Sequence, residues 1–446
     1  MDKVIVNVRQ VVNDRFIGVG YHDSFSVHHK QSSVKIEKIL DERWQECNPS
    51  FARVTHTWGW DMEHAVRQLK MMQKCGTQVY LTTWDPEAHK TAGSIGRYAE
   101  KVAGLLEELI VGRGLDNIRW YCMTNELSLP SESGWGGLYK DLPRFAVYHH
   151  QIYKALEKRR LSVSLLATDA SPIGRWDSIS WAARKMQKIT GVYGGHHYIN
   201  EYLPGDPAFY PWFSKKVKES ADIAHRLGKP FIMGEFGPKQ HIGPRYGFTR
   251  WDGCAYFDTA VEFLGALQAS EAVIAAVNAG VDAIGYWTFS DYPDSYAPKK
   301  VYANKWGTVI WDGKKFPRRP VYFAMGLLSR FFRGPAGVHR VQFSDPALHG
   351  MAVHNQKTGG LNLAILNWKN EPVSVRFEIK GNSAGVKGAL YVFDSNKTSC
   401  YLSGKGLLES TFSGKIRVPS KKLEIPAQSL VVFTEETKRD HRTIVT

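Results

Sequence analysis

The stretch Phe51-Ala52-Arg53-Val54-Thr55-His56, then Asp61 with Met62-Glu63-His64-Ala65-Val66-Arg67-Gln68-Leu69-Lys70-Met71-Met72, then Gln78-Val79-Tyr80-Leu81-Thr82-Thr83-Trp84, decides the fold. The first run is short, apolar and β-branched, which predicts a strand. Met62, Ala65, Val66, Leu69 and Met72 then recur at helical spacing behind Asp61, a good N-cap, so a helix runs to about Cys75. A second strand follows at once. Strand, helix and strand in succession make the crossover unit of a parallel sheet.

Working outward, the same texture recurs. Strands are expected at 16–21, 51–56, 78–84, 118–126, 161–168, 192–198, 230–235 and 282–289, with helices near 96–111, 142–159, 178–189, 213–227, 256–279 and 320–332. Eight such units predict an α/β fold, a (β/α)8 TIM barrel over residues 10–334. An open doubly wound sheet would carry a Gly-rich phosphate turn after an early strand, and none follows 16–21.

After Arg333-Gly334-Pro335 the helices stop. Short strands at 337–343, 350–354, 361–368, 373–379, 389–393, 415–418 and 429–434 alternate with turn-rich pieces such as Lys357-Thr358-Gly359-Gly360. This predicts a C-terminal all-β sandwich over 335–446, with an N-terminal strand at 3–9 added to it.

Composition narrows the function. Hydrophobic residues make up 43% and charged residues 23%, so the chain can bury a full core. The formal net charge of +15 is spread without any run of five basic residues, which argues against a nucleic-acid footprint and for a solvated surface. An acidic or uronate-bearing glycan would also suit it. Five scattered cysteines with no CxxC pair exclude a zinc ribbon and suggest no disulfide scaffold. No run of about 18 apolar residues predicts a membrane span, and the N-terminus reads as a strand rather than a leader. The expectation is a cytoplasmic protein or a secreted one presented without its leader. The doublets His28-His29, His149-His150 and His196-His197 are poor metal sites, because adjacent side chains point apart, so neither metal nor cofactor is expected.

Barrel enzymes carry their reacting groups at the C-terminal ends of strands. The fourth strand ends Met123-Thr124-Asn125-Glu126 and the seventh Met233-Gly234-Glu235-Phe236-Gly237. One acid at a strand end can be a cap or half of an ion pair. Two on strands facing across a barrel mouth suit glycosidic cleavage with retention, in which one carboxylic acid protonates the leaving oxygen and one carboxylate attacks the anomeric carbon. Asn125 is suited to hydrogen-bonding the sugar 2-hydroxyl. Trp58, Trp84 and Trp135, with Trp60 and Trp176, fall in or near strand-to-helix loops where indole faces stack on pyranose rings, and at least two are expected to touch substrate. Asp85 and Glu87 read better as helix caps.

On these residues the chain resembles the clan A retaining glycoside hydrolases. Asn125-Glu126 resembles the clan's acid/base strand, and Gly234-Glu235-Phe236-Gly237 its nucleophile strand. The resemblance implies that Glu126 is the acid/base and Glu235 the nucleophile. It further implies that Arg53 holds the nucleophile's charge, that His197 and Tyr198 flank it, and that Trp287 floors the sugar site. Gly-Glu-Phe-Gly and His-Tyr resemble family 5. The barrel whose last helix reads Arg319-Pro320-Val321-Tyr322-Phe323-Ala324-Met325 before a terminal sandwich resembles families 39, 30 and 51. Leu127 departs from the Pro that several of these families place after the acid/base. The implied activity is hydrolysis of β-glycosidic bonds in an oligo- or polysaccharide, with carbohydrate as the partner and no nucleic acid or membrane. A transglycosylase using the same pair, or a non-catalytic carbohydrate-binding protein, stand as alternatives.

Overall fold

The computed structural model describes residues 2–23, 33–56, 61–83, 93–129, 138, 140–238, 263–291, 306–381, 386–395, 416–418 and 422–436. Trp58, Trp60, Trp84, Asp85, Glu87 and Trp135 lie outside these residues.

Eight parallel strands form a closed ring: β1 (Asp2–Asp23), β2 (Phe51–His56), β3 (Gln78–Thr83), β4 (Ile118–Cys122), β5 (Ser164–Ala170), β6 (Val192–Ile199), β7 (Phe231–Pro238) and β8 (Ala283–Tyr286). Each pairs with the next. The ring closes where Gly18–Tyr21 of β1 meets Ala283–Tyr286 of β8. The described helices that cover it are α1 (Val34–Cys47), α2 (Met62–Lys74), α3 (Ile95–Glu107), α4 (Leu142–Lys158), α5 (Asp177–Lys185), α6 (Phe209–Arg226), α7 (Phe263–Asn278) and α8 (Pro320–Phe331).

Local chemistry sets these elements. Asp61 caps α2 by accepting from the backbone N–H groups of Glu63 and His64, at 2.9 and 3.2 Å. Pro320 opens α8 at a position whose N–H has no helical partner to lose. The α1 helix was not read from the sequence, although Ile36, Ile39, Leu40, Trp44 and Cys47 follow helical spacing behind Ser33, whose side chain accepts from Ile36.

Strand alternation sorts the core. Phe51, Tyr80, Trp120, Leu166, Val192, Ile232 and Ala283 fill the inside of the ring, while Ala52, Val79, Tyr121, Leu165, Tyr193, Phe231 and Ile284 pack outward against the helices. Each fully buried large side chain stabilises the fold by about 1.5–3 kcal/mol.

The later strands are β9 (Arg333–Phe343), β10 (Leu348–Asn355), β11 (Leu361–Asn367), β12 (Val373–Lys380), β13 (Val386–Phe393), β14 (Ile416–Val418), β15 (Leu423–Ile425) and β16 (Ser429–Thr434). Period-2 alternation gives them two apolar faces. Met351, Val353, Ala364, Leu366, Tyr391 and Val432 join the core beneath the helices, with Phe393 against Phe263 and Tyr391 against Phe331. Ala352, Leu363, Ile365, Leu390, Val392 and Val431 form a second core with Val4, Val6, Val375 and Phe377. The expected strands at 3–9 and 16–21 are one continuous strand. Its first half pairs β12, its second half pairs β2 and β8, and β9 runs beside it from Val4 to Gly18.

Candidate active site

At the C-terminal mouth of the ring, Arg53 is the hub. It projects inward from β2, is 1% exposed, and its guanidinium donates to four groups or lies against them. One arm donates to Glu235 Oε1 and lies 3.0 Å from His22 Nδ1. The other donates to Asn125 Oδ1 at 2.7 Å and to Asp169 Oδ2 at 2.9 Å. A planar fork with several donors is what lets one side chain hold so many acceptors. Because a guanidinium only donates, Asn125 must present its oxygen to Arg53, which leaves its amide N–H2 group for the open side of the site.

Glu235 lies in β7, and its second carboxylate oxygen accepts from the Tyr198 hydroxyl. Burial works against its charge, but His196 and Arg53 outweigh burial and hold the carboxyl well below the usual range, so it is ionised. Tyr198 is pushed well above the ordinary phenol value, first by burial and then by the charges of Glu235 and Glu126, so it remains a donor. Burial also pulls His22 down to about 4.

Glu126 stands just beyond the end of β4 with φ 46°, in the left-handed region. A non-glycine residue there costs about 1–3 kcal/mol and persists only where its surroundings hold it. They do so through a clasp two residues on: Ser128 Oγ donates to Ser171 O at 2.6 Å, and Ser171 N donates back to Ser128 Oγ at 2.8 Å. An oxygen of Glu126, one of Glu235 and a ring nitrogen of His196 all lie within 4.8 Å of one another. Three such groups have the spacing of a metal site. Here, however, Glu235 already carries the Arg53 guanidinium, and Asp169 faces His196 at 2.8 Å, so a further cation would meet positive charge.

Of the residues singled out from the sequence, the structure brings Arg53, Asn125, Glu126, Tyr198 and Glu235 together. Trp287, just past β8, sets its indole 4.3 Å from the His22 ring, beside Glu235. His197 requires a correction. It faces the helices, with its ring against Trp212 and Phe213, and its neighbour His196 occupies the interior. The reason is strand geometry: Tyr198 points at Glu235, so the residue sharing its face is two positions back, not one. A register shift that passes over Gly234 then sets His196 directly beside Glu235. Trp176 is also structural, since it is buried and its indole N–H donates to Ala170 O at 2.9 Å.

Two further participants escaped the sequence reading. His22 lies one residue before the end of β1. Asp169 sits in β5 with φ 57°, at a register shift between Thr168 and Ala170 that turns its carboxylate toward Arg53 and His196. An acid closing an apolar strand was the available signal for Asp169, but the expected strand ended one residue short of it.

No protein-family model and no curated protein matches the sequence. Solved structures do match the fold. A glycoside hydrolase family 30 subfamily 8 xylanase from Clostridium acetobutylicum aligns with a TM-score of 0.63 at 14% identity, covering 97% of this chain and 99% of that one. A family 39 β-xylosidase from Caulobacter crescentus aligns with a TM-score of 0.62 at 14% identity, over 97% of this chain and 99% of its own. The thermostable family 51 α-L-arabinofuranosidase from Thermotoga petrophila RKU-1 gives 0.66 at 11% identity, over 97% and 100%. The chain therefore shares its fold, over nearly its whole length, with clan A glycoside hydrolases of families 30, 39 and 51.

Proposed function

We propose that this chain is a retaining glycoside hydrolase, a (β/α)8 barrel over residues 10–334 joined to a β-sandwich over 335–446 that strand 3–9 completes. The observation that carries the reading is the approach of the Glu126 and Glu235 carboxylates, with oxygens within 4.8 Å of each other. Retaining enzymes hold their two carboxyl groups about 5–5.5 Å apart, whereas inverting ones leave about 6.5–9.5 Å for a water.

The environments assign the roles. Glu235, ionised between Arg53 and Tyr198, is the nucleophile. Glu126 lies outside the Arg53 fork and is the acid/base. Glu126 gives its proton to the leaving oxygen as that bond breaks and Glu235 bonds to the anomeric carbon. Glu126 then takes a proton from the water that displaces Glu235. No cofactor is needed. The Asn125 amide faces the sugar 2-hydroxyl, and Trp287 forms the apolar floor. The similar structures are named as xylanase, β-xylosidase and α-L-arabinofuranosidase, so aryl xylosides and arabinofuranosides are the first substrates to try, followed by β-linked and uronate-bearing glycans.

On an activated aryl glycoside, Glu235→Ala abolishes turnover. Glu126→Ala regains activity with azide and releases a glycosyl azide of retained configuration. Full activity in either variant sinks the assignment.

A further inference from the structure

The two glutamates are held by different means. Glu235 lies within β7, and its backbone pairs with β6 opposite His196. Glu126 has no sheet partner among the described residues. The strand expected to run to residue 126 ends at Cys122. Its ladder to β5 consists of Trp120–Ser164 and Tyr121–Leu165, and its ladder to β3 stops at Cys122. Glu126 therefore stands past the last rung, in a left-handed conformation that a free backbone would leave.

The loop after β5 replaces the missing rung. A single Ser128 hydroxyl meets both backbone polar groups of Ser171, donating to its carbonyl at 2.6 Å and accepting from its N–H at 2.8 Å. A hydroxyl can do both at once, so it acts as a short side-chain ladder between the two segments. Arg175 Nη1 then donates to Ser128 O at 2.9 Å, and Leu129 N closes the turn by donating to Glu126 O at 2.8 Å. Leu127, between them, is buried. The gripping loop is itself fixed. The Trp176 indole N–H donates to Ala170 O at 2.9 Å and to His196 O at 3.2 Å, and Thr168 Oγ1 lies 2.7 Å from Ser178 Oγ. An unbroken series of polar contacts thus runs from β5 and β6 to the backbone of Glu126.

We propose that Ser128, Ser171 and Arg175 are positioning residues, a clasp that sets where the Glu126 carboxylate stands and so how poor a leaving group the site can expel. The proposal rests on the glycosidase reading above. Proton transfer requires Glu126 to be within hydrogen-bond reach of the leaving oxygen as the glycosidic bond breaks. A misplacement of about 1 Å can cost on the order of a hundredfold in rate. That cost falls only on leaving groups that need the proton. A phenol or a sugar does; a dinitrophenolate departs as a stable anion and does not. Ser128 and Arg175 act through Glu126, so loosening either should reproduce in weaker form the behaviour of Glu126→Ala.

The test compares dinitrophenyl and phenyl glycosides of one sugar, xylose or arabinofuranose. In Ser128→Ala, kcat/KM should fall at least about tenfold on the phenyl glycoside and less than about threefold on the dinitrophenyl one. On the dinitrophenyl glycoside kcat should fall, because Glu126 must also activate the water that releases the sugar, and azide, which needs no base, should restore it. Arg175 is exposed, so Arg175→Met should fold and show the same pattern at smaller amplitude. If Ser128→Ala does not fold, Arg175→Met decides by the same readings. Equal losses on the two glycosides, or a loss of kcat that azide does not relieve, would make the clasp a structural brace and overturn the proposal. An unchanged phenyl glycoside rate in a folded Ser128→Ala overturns it too. Absence of turnover by the unaltered chain on any aryl glycoside instead refutes the proposed function and takes the clasp's role in the reaction with it.

Discussion

At the scale of single residues, the site is organised by charge that burial alone would not permit. Arg53 and His196 stand against Asp169 and Glu235 where solvent does not reach, and each is affordable only because the others are present. Tyr198 contributes a donor to this set without a charge. Tyr198→Phe removes the hydroxyl from Glu235 and leaves the ring. Loss of one hydrogen bond to a charged group is worth about 1.5–3 kcal/mol, so kcat should fall roughly 10- to 150-fold with KM little altered. A steady-state comparison of the two proteins checks this, and an unchanged kcat would show that Arg53 alone holds the nucleophile. The residue types at the site were legible in the sequence because an acid at the end of an apolar strand is conspicuous. Which of His196 and His197 turns inward follows from alternation with Tyr198, but that His196 lands beside Glu235 depends on a register shift at Gly234 that leaves no compositional trace.

At the scale of elements, the motif Gly234-Glu235-Phe236-Gly237 acquires a steric meaning. A Cβ on Gly234 would lie 2.9 Å from His196 Nε2, 3.0 Å from Arg53 Cδ and 3.2 Å from Tyr80 Cε1. A Cβ on Gly237 would meet nothing closer than Trp287 O, at 3.5 Å. Gly234→Ala should therefore displace the Arg53–His196 layer and lower kcat/KM by at least about tenfold, at a stability cost of about 1–3 kcal/mol. Gly237→Ala should be close to neutral on both counts. Parallel denaturant titrations and aryl glycoside assays decide it, and equal losses in the two variants would refute the steric account. The run of strands and helices was largely readable, since β2, β6 and β16 fall within about a residue of their expected limits. The α1 helix and β15 were not read, the latter because Leu423–Ile425 is too short to show alternation.

At the scale of the whole molecule, the ring and the later strands meet across a buried acid. Glu271 of α7 is 1% exposed and lies 3.3 Å from His349 of β10, whose ring stacks on Tyr210 of α6. Burial pushes Glu271 up to about 8, with the nearby Trp368 indole opposing it, and burial pulls His349 down to about 4. Between the ordinary glutamate value and about 8, the folded chain holds a proton at Glu271 that the unfolded chain releases. Its contribution to stability is thus complete at acid pH and lost as pH rises through that window. Glu271→Gln, neutral throughout, should gain at least about 1 kcal/mol on the unaltered chain between pH 5 and pH 8.5. Denaturant midpoints at the two pH values measure the gain, and parallel curves would exclude the effect. The same boundary is crossed by β1, which closes the ring with one half and pairs β12 with the other, beside β9 along most of its length. On a ribosome the outer half of β1 emerges long before its partners β9 and β12. At about 5–20 residues per second, Val4 and Val6 wait roughly 20–70 s for Val375 and Phe377 to be synthesised. Until then the nascent chain carries an unpaired, sticky edge, and its safe passage depends on whatever shields it during translation.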